Sequence, residues 1–337
     1  MTTKDQVLQS LTDHPDQYVS GGELARRLRL SRNAVWKAVE QLRKEGYPID
    51  SQPRKGHRLS SGGDVLSEGG IRKYLRHPEL EIRVFPVISS TNTVLKQLAA
   101  DGAPAGLALV AAEQTAGRGR MGRSFYSPAG SGLYLSLLLR PELEVADATR
   151  LTACAAVAVA ETLESLADVH PGIKWVNDLL IGEKKVCGIL TEAGLDCEAG
   201  RLSYLIVGIG INTRIPPGDF PEELRTIAGA VFGDAPIPDL RNRLAAGVLD
   251  RLFAYAAAPD DPEIYAAYRR RSTVLGKPIR ILAPGKEPQP ATAVDLAPDY
   301  ALRVRLPDGS EQLLRSGEIS IRPAPESPAE NTASRPL

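Results

Sequence analysis

The segment with the clearest chemical potential is residues 117–123, Gly-Arg-Gly-Arg-Met-Gly-Arg, called the arginine loop below. It matches the G-x-G-x-x-G pattern, but a dinucleotide-binding turn must open a helix whose N-terminus receives the pyrophosphate. Here the chain runs instead into an apolar, strand-like stretch that begins at Leu133. Three arginines on a flexible glycine backbone favour a mobile loop that closes over a polyphosphate or an acyl phosphate. From this segment alone, a basic loop that binds RNA or only water is an equally good interpretation.

A second candidate is the lysine in residues 172–181, Gly-Ile-Lys-Trp-Val-Asn-Asp-Leu-Leu-Ile. A lysine among apolar strand residues is costly to bury unpaired, so Lys174 is expected to extend to solvent or to meet an anion. Asn177 and Asp178 follow at the end of the same strand, where they could form hydrogen bonds or hold Mg²⁺. An edge-strand lysine followed by an ordinary Asn-Asp turn explains this segment equally well.

Two weaker signals complete the candidate chemistry. Residues 89–93, Ser-Ser-Thr-Asn-Thr, precede a predicted helix, and such a cluster is most often only an N-cap. Residues 207–212, Val-Gly-Ile-Gly-Ile-Asn, form an apolar strand with two glycines, where a ligand or backbone can approach closely. The proline-rich segment 214–221 that follows is long enough to act as a lid.

The elements at the front of the chain predict a winged helix-turn-helix. On the third of three short helices Val35, Val39 and Leu42 recur at i, i+4 and i+7, the spacing of a buried face. The opposite face and the tip of a following hairpin carry residues that can reach phosphates and base edges, namely Arg32, Asn33, Lys37, Gln41, Arg54 and Lys55. Residues 1–62 contain 11 Lys+Arg against 7 Asp+Glu, an excess of about four positive charges. A small helical oligomerisation module is the alternative.

The remaining elements predict an α+β chain. Predicted strands cover 83–87, 107–113, 133–139, 173–176, 179–181, 185–191 and 205–208, and predicted helices include 92–101, 147–167 and 240–258, without strict βαβ order. Short strands around the Pro307-Asp-Gly309 turn predict a small C-terminal β-barrel. We expect domains at 1–62, 65–272 and 273–323, with a flexible linker between the first two and a disordered tail at 324–337.

The composition excludes several classes of protein. Of the 337 residues 43% are hydrophobic and 24% charged, as in a soluble globular protein, and the net charge is zero. No stretch approaches the roughly 20 apolar residues of a membrane span, and the N-terminus lacks the pattern of a signal peptide. Three cysteines without metal-ligand spacing indicate a reducing compartment, so we expect a cytoplasmic protein without a structural disulfide or zinc site.

Taken together and in this order, the motifs resemble the biotin–protein ligase family, in its bifunctional form that also represses biotin biosynthesis genes. The resemblance covers nearly the whole chain except the tail. The motifs that carry it are Ser90-Thr-Asn92, Gln114, the arginine loop, Lys174-Trp-Val-Asn-Asp178, Lys185-Val-Cys-Gly-Ile-Leu190, Gly208-Ile-Gly-Ile-Asn212 and Gly317-Glu-Ile-Ser-Ile-Arg322. It implies a central α/β domain like that of class II synthetases and a C-terminal SH3-like barrel.

The resemblance also implies the reaction and the residues that perform it. Biotin and MgATP give biotinyl-5'-AMP, and the biotin then passes to a lysine of a biotin carboxyl carrier protein. Lys174, with Arg118 and Arg120, is the implied catalytic group at the carboxylate and the adenylate. The implied biotin site is Ser90, Thr91, Asn92, Gln114, Arg118, Gly119, Arg120 and Lys174. The implied nucleotide site is Arg123, Phe125, Asn177, Lys185, Asn212 and Arg322, with Asp178 as a possible magnesium ligand or base.

Two departures and two alternatives qualify this interpretation. Val176 stands where the family usually has proline, and Phe125 where a tryptophan is common, so we expect a looser turn and weaker loop closure or nucleotide stacking. In the family the adenylate promotes a dimer that binds a two-part operator, which predicts a ligand-induced homodimer here. The alternatives are a ligand-sensing transcription regulator without ligase activity and an acyl-protein ligase for lipoate.

Overall fold

The structure is a computed structural model. It describes residues 3–12, 14, 17–44, 47, 49–59, 64–140, 148–196, 201–233, 237–282, 287–315 and 320–323. The linker at 60–63 and the tail at 324–337, for which the sequence predicts flexibility and disorder, lie outside the described residues.

Three helices and a hairpin form the N-terminal unit, as the sequence predicts. They are α1 (Thr3–Thr12), α2 (Gly21–Leu28), α3 (Arg32–Lys44), β1 (Ile49–Gln52) and β2 (Gly56–Leu59). The Ser20 hydroxyl caps α2 by accepting from the Glu23 N–H at 3.1 Å, and Ser31 caps α3 by accepting from the Ala34 N–H at 3.1 Å. The predicted apolar face of α3 is buried in a small core, so its polar face remains at the surface.

A seven-stranded mixed sheet organises the centre of the chain. Its strands are β3 (Glu81–Phe85), β4 (Leu107–Ala111), β5 (Gly132–Leu139), β6 (Gly172–Lys174), β7 (Asp178–Ile181), β8 (Lys184–Asp196) and β9 (Arg201–Asn212). The spatial order is β3-β4-β5-β9-β8-β7-β6. The β3–β4 pair is parallel, and the other neighbours are antiparallel. This arrangement confirms the prediction of a mixed α/β domain without strict βαβ order.

The central domain also contains helices, most of which pack on the two faces of this sheet. They are α4 (Glu68–Arg72), α5 (Thr91–Ala100), α6 (Ala148–Leu166), α7 (Glu222–Arg225), α8 (Leu240–Ala257) and α9 (Pro262–Arg271). Along β4, Ala108 and Val110 join the core that contains α6 and α8. The alternate residues Leu107 and Leu109 pack with Leu95 of α5 on the other face, as the two-residue period of a strand requires. None of the described helices is long and apolar enough to cross a membrane.

The C-terminal strands form an open antiparallel sheet in the described part of the chain. They are β10 (Pro278–Leu282), β11 (Gln289–Leu296), β12 (Leu302–Arg305), β13 (Glu311–Leu314) and β14 (Ser320–Pro323), in the order β13-β12-β11-β10-β14. The predicted Pro307-Asp-Gly309 turn joins β12 to β13, with Gly309 at φ +84°. The short strands are therefore as predicted, whereas the closed barrel is not shown.

Buried contacts join the C-terminal strands to the central domain, and residues 64–67, which follow the N-terminal unit, are held against α8. The indole N–H of Trp175, between β6 and β7, donates to the Tyr300 carbonyl at 2.7 Å, and Ile279 and Val304 share the main hydrophobic core. At the other junction the Arg241 guanidinium pairs with Asp64 at 2.9 Å, and Asn242 accepts from the Ser67 N–H at 3.0 Å. The domain boundaries at 62–65 and 272–273 stay predictions.

We predict that Trp175→Phe lowers the melting temperature by about 2–4 °C, as measured by differential scanning calorimetry, because the Tyr300 carbonyl loses a buried donor worth about 1–2 kcal/mol. The matched control is Trp36→Phe, since Trp36 is 56% exposed. It should shift the melting temperature by less than about 1 °C. Equal shifts in the two variants would contradict a stabilising role for the Trp175 contact.

Candidate active site

An open cavity, part of it continuous with solvent, lies over strands β8 and β9. It gathers segments that are far apart in the sequence. The predicted site residues that line it are Ser90, Thr91, Asn92, Gln114, Arg118, Gly119, Arg120, Arg123, Phe125, Asn177, Asp178 and Lys185.

The N-terminus of α5 supplies a buried polar edge of the cavity. Ser90 is the N-cap of this helix, as its sequence predicts. The Thr91 N–H and hydroxyl both donate to Gln114 Oε1, at 2.8 and 3.1 Å. The Gln114 amide nitrogen in turn donates to Ser127 Oγ at 3.0 Å. These bonds fix a set of neutral donors and acceptors in one place, which suits a neutral polar ring of a ligand.

Asn92 is the most constrained member of this edge. Its amide nitrogen donates to the Leu190 carbonyl at 3.2 Å and to Glu192 Oε2 at 3.0 Å. Its Oδ1 lies 2.6 Å from the Ser136 hydroxyl. The side chain is 4% exposed, so the partners hold the amide in one orientation.

Glycines form the floor of the cavity. A Cβ added to Gly208 would overlap Asn92 Oδ1, and a Cβ added to Gly210 would lie 2.5 Å from the Phe125 ring. At Gly188 a Cβ would lie 3.1 Å from both Lys185 Nζ and the Phe125 ring. The two glycines that the sequence singled out on β9 therefore permit the close approach predicted for them.

The arginine loop folds over the cavity without opening an α-helix. It contains one turn of 3-10 helix at Arg120–Gly122, and the Gly119 N–H donates to the Arg123 carbonyl at 2.7 Å. The Arg120 guanidinium donates to Asn177 Oδ1 at 2.9 Å. Burial lowers the pKa of Arg120, although the Asp178 carboxylate opposes this, and the group stays protonated at neutral pH. The rejection of a Rossmann turn is confirmed.

Lys185 enters the cavity because of an irregularity in β8. Its Nζ lies 2.7 Å from Asp178 Oδ1. The β7–β8 register shifts between Leu179 and Leu180, so that their partners are Cys187 and Lys185. With a strict two-residue period Lys185 would share the face of Cys187, which is buried in the core. The bulge turns it to the face of Gly188 instead.

The charge of the lining favours an anionic ligand. Among the described lining residues, Arg118, Arg120, Arg123 and Lys185 are cationic and Asp178 is the carboxylate. Glu192, just beyond the lining, accepts from Arg118 Nη1 at 2.9 and 3.1 Å. Three cations, Arg120, Arg123 and Lys185, therefore remain against the one carboxylate, Asp178. This excess of positive charge in the lining stabilises an anionic ligand in the cavity.

Two of the predicted site residues do not line the cavity, and a third has a side chain outside the described residues. Lys174 is half-buried on β6, the edge strand, two strands away from β8, and does not line the cavity. Asn212 does not line it either, because its amide donates to the Gly229 carbonyl at 3.0 Å and holds segment 227–231 against the ends of β8 and β9. Arg322 lies on β14, but its side chain is outside the described residues.

The single carboxylate of the lining limits how a metal could be held. The described residues contain no group of three His, Cys, Asp or Glu side chains that could bind a metal ion. Asp178 Oδ1 is buried and accepts no well-directed hydrogen bond among these residues. Mg²⁺ commonly binds through one or two carboxylates together with substrate phosphates, so Asp178 fits a shared ligand and not a protein-only metal site.

The N-terminal unit presents a second polar surface. Arg32, Asn33, Lys37 and Gln41 on α3, with Arg54 and Lys55 at the hairpin tip, are all exposed, as predicted for DNA contacts. Trp36 lies among them and is 56% exposed. Sequence reasoning missed this residue, although its position beside Lys37, outside the apolar spacing of α3, would have indicated it.

Comparisons with known proteins agree with this geometry. Residues 84–212 match the model of the biotin/lipoate A/B protein ligase family, and residues 3–58 match that of an HTH domain. The bifunctional ligase/repressor BirA of Bacillus subtilis is 42% identical over 229 residues, which are 67% of this chain and 70% of the relative. The protein of the same name from Escherichia coli is 32% identical over 275 residues, 80% of this chain and 83% of the relative.

A solved structure shows the same similarity at the level of the fold. Biotin protein ligase from Aquifex aeolicus, in complex with biotin and ATP, aligns with a TM-score of 0.60 and 28% identity, over 72% of this chain and 99% of that one. The chain therefore belongs to the biotin/lipoate A/B protein ligase family and carries an HTH domain in front of its catalytic domain.

Proposed function

We propose that the protein is an ATP-dependent biotin–protein ligase that also represses transcription in response to its own adenylate. The observation that carries the ligase activity is the cavity itself, where a neutral donor–acceptor edge at Thr91 and Asn92 lies beside the cations Arg120, Arg123 and Lys185. Biotin has both parts, a neutral ureido ring and a carboxylate. Bifunctional relatives and a ligase structure with biotin and ATP support the same conclusion.

The first step brings two anions together. An oxygen of the biotin carboxylate forms a bond to the α-phosphorus of ATP, the bond from that phosphorus to the β-phosphate oxygen breaks, and pyrophosphate leaves. Lys185 and Arg120 offset the repulsion and stabilise the charge that develops at the α-phosphate. Arg123 lies at the other end of the arginine loop, on the side where we place the leaving pyrophosphate. Phe125 provides an aromatic wall above Gly188 and Gly210.

In the second step the amine of a carrier-protein lysine attacks the carbonyl carbon of the mixed anhydride, and AMP leaves with the bonding electron pair. The new amide nitrogen loses one proton, which the phosphate of AMP can accept. Water would compete for this carbonyl, so the arginine loop is expected to exclude it. We assign Asp178 to the positioning of Lys185, since the two side chains are 2.7 Å apart. Asp178 would hold Mg²⁺, which would offset the negative charge of the ATP phosphates. The acceptor we propose is a biotin carboxyl carrier protein or domain.

Biotin-dependent ATP–pyrophosphate exchange on the full chain tests the ligase proposal. We expect exchange with biotin and less than about one tenth of that rate with lipoate, because only biotin offers a ureido ring to the polar edge. Exchange with lipoate instead would identify a lipoate-type ligase. Absence of exchange with either acid would favour a regulator that only senses its ligand.

The assignment of Lys185 predicts different effects for two lysines of the same sheet. Lys185→Ala should lower the exchange rate by about 100-fold or more, because it removes a preorganised cation from the site of developing charge. Lys174→Ala, a matched change on the edge strand, should lower the rate by less than about tenfold. Melting temperatures of both variants control for misfolding. The reverse order of the two effects would restore the role that the sequence motif suggested for Lys174.

The repressor activity requires DNA affinity that depends on the ligand. We propose that the adenylate favours a homodimer that presents two helix-turn-helix units to a two-part operator, since a ligand shifts such an equilibrium only by differential affinity. The exposed basic residues of α3 and of the hairpin tip support the DNA contact.

The short antiparallel strands at the C-terminus support an SH3-like barrel. The buried free thiols of Cys154 and Cys187 support a cytoplasmic location.

An electrophoretic mobility shift with the biotin-gene promoter of the source genome tests this coupling. Biotin plus ATP should tighten binding, whereas Lys37→Ala should weaken it by about fivefold and reduce its salt dependence, as loss of a phosphate contact does. Lys96→Ala, which removes an exposed lysine of α5, is the control and should have no effect. Promoter affinity that does not respond to biotin plus ATP would exclude the corepressor mechanism.

A further inference from the structure

Glu192 is a carboxylate at the edge of a cavity that otherwise selects anions, and the mechanism above does not use it. It lies on β8 two and four residues beyond Leu190 and Gly188, both of which line the cavity. Since alternate strand residues share a face, Glu192 continues the cavity side of the strand. Its side chain is 15% exposed. A negative charge in this position repels an anionic ligand. Its presence therefore points to another role, which is to hold neighbouring side chains in place.

Two predicted ligand-binding residues meet at this one carboxylate. Oε2 accepts from the Asn92 amide nitrogen at 3.0 Å. Both oxygens accept from Arg118 Nη1, at 2.9 and 3.1 Å. Asn92 is 100 residues and Arg118 74 residues away along the chain. The carboxylate therefore connects the N-terminus of α5 to the first arginine of the arginine loop.

The contact with Asn92 also decides which way its amide points. An ionised carboxylate only accepts hydrogen bonds, and so does the Leu190 carbonyl, so both require the nitrogen of Asn92. The oxygen is then left above Gly208 on the cavity floor. There it accepts from the Ser136 hydroxyl. An amide oxygen has two lone pairs, and Asn92 lines the cavity, so a ligand N–H can supply the second hydrogen bond. A ureido ring offers such N–H donors.

We propose that Glu192 is a positioning residue for biotin, which orients the Asn92 oxygen toward the ureido ring and anchors Arg118 of the arginine loop through the same carboxylate. This proposal rests on the proposed ligase function for the identity of the ligand. Glu192 itself makes no contact with the reacting atoms. Its effect should therefore appear in biotin affinity and not in the rate of adenylate formation.

Glu192→Gln tests the proposal with little change in shape. A glutamine has one acceptor and one NH₂ group, so a donor now faces either the Asn92 nitrogen or Arg118. We expect the Kd for biotin, measured by isothermal titration calorimetry on the full chain, to rise about tenfold, the loss of one charged hydrogen bond at a partly exposed site. In pyrophosphate exchange the KM for biotin should rise similarly, with kcat and the KM for ATP within about threefold.

Glu164→Gln is the matched control. Glu164 also forms a two-contact pair with an arginine, Arg271, at 2.9 and 2.7 Å, and it does not line the cavity. This variant should leave the biotin Kd unchanged even if its melting temperature falls. A biotin Kd for Glu192→Gln within twofold of the wild-type value, or an equal rise in Glu164→Gln, would overturn the proposal.

A double variant tests whether Asn92 and Arg118 depend on the same carboxylate. If Arg118 acts through Glu192, the combination of Arg118→Gln with Glu192→Gln should weaken biotin binding no more than about twofold beyond the weaker-binding single variant. Fully multiplicative losses would contradict the shared contact. Biotin binding without exchange in the wild-type protein would reject the ligase function while leaving the positioning role standing, and absence of biotin binding would reject both.

Discussion

Repulsion between two anions is the constraint on which the site depends. In the proposed reaction a carboxylate must approach a phosphate that already carries negative charge, so cations have to be in place before either ligand arrives. Arg120 and Lys185 come from different parts of the sequence and are held by Asn177 and Asp178. The hairpin that carries these two partners is supported in turn by the buried Trp175 contact to the C-terminal sheet. The positions of the charges therefore depend on packing remote from the cavity.

The glycines of the cavity floor let larger side chains lie close to the backbone. Gly188 and Gly210 leave space that a methyl group would take from the Phe125 ring, and Gly208 leaves it for Asn92. Because β8 and β9 pair closely along most of their length, this floor is rigid. The arginine loop is attached to it through a few polar contacts. A rigid floor and a weakly attached cover allow a ligand to enter and then be enclosed.

Much of this arrangement could be predicted from the sequence, because local patterns determine it. The apolar spacing of α3, the cap at Ser90 and the glycines of β9 each depend on neighbouring residues, and all three lie where they were expected. Lys185 was placed in the site only through the family resemblance, because its orientation depends on a bulge, and a bulge has no period in the sequence. Lys174 stands in a more conspicuous motif but lies on the edge strand. Glu192 was missed because its partners are 74 and 100 residues away.

The two junctions of the chain differ in how the hydrophobic cores are divided. The N-terminal helices close a core of their own, to which Val65 is the last contributor, whereas Leu66 already belongs to the main core. Among the described residues the C-terminal strands form no separate core, because Ile279, Val304 and Leu314 pack within the main one. The front unit can therefore be gained, lost or exchanged during evolution without exposing the interior of the enzyme. The C-terminal sheet has no such freedom and must be inherited with the catalytic domain.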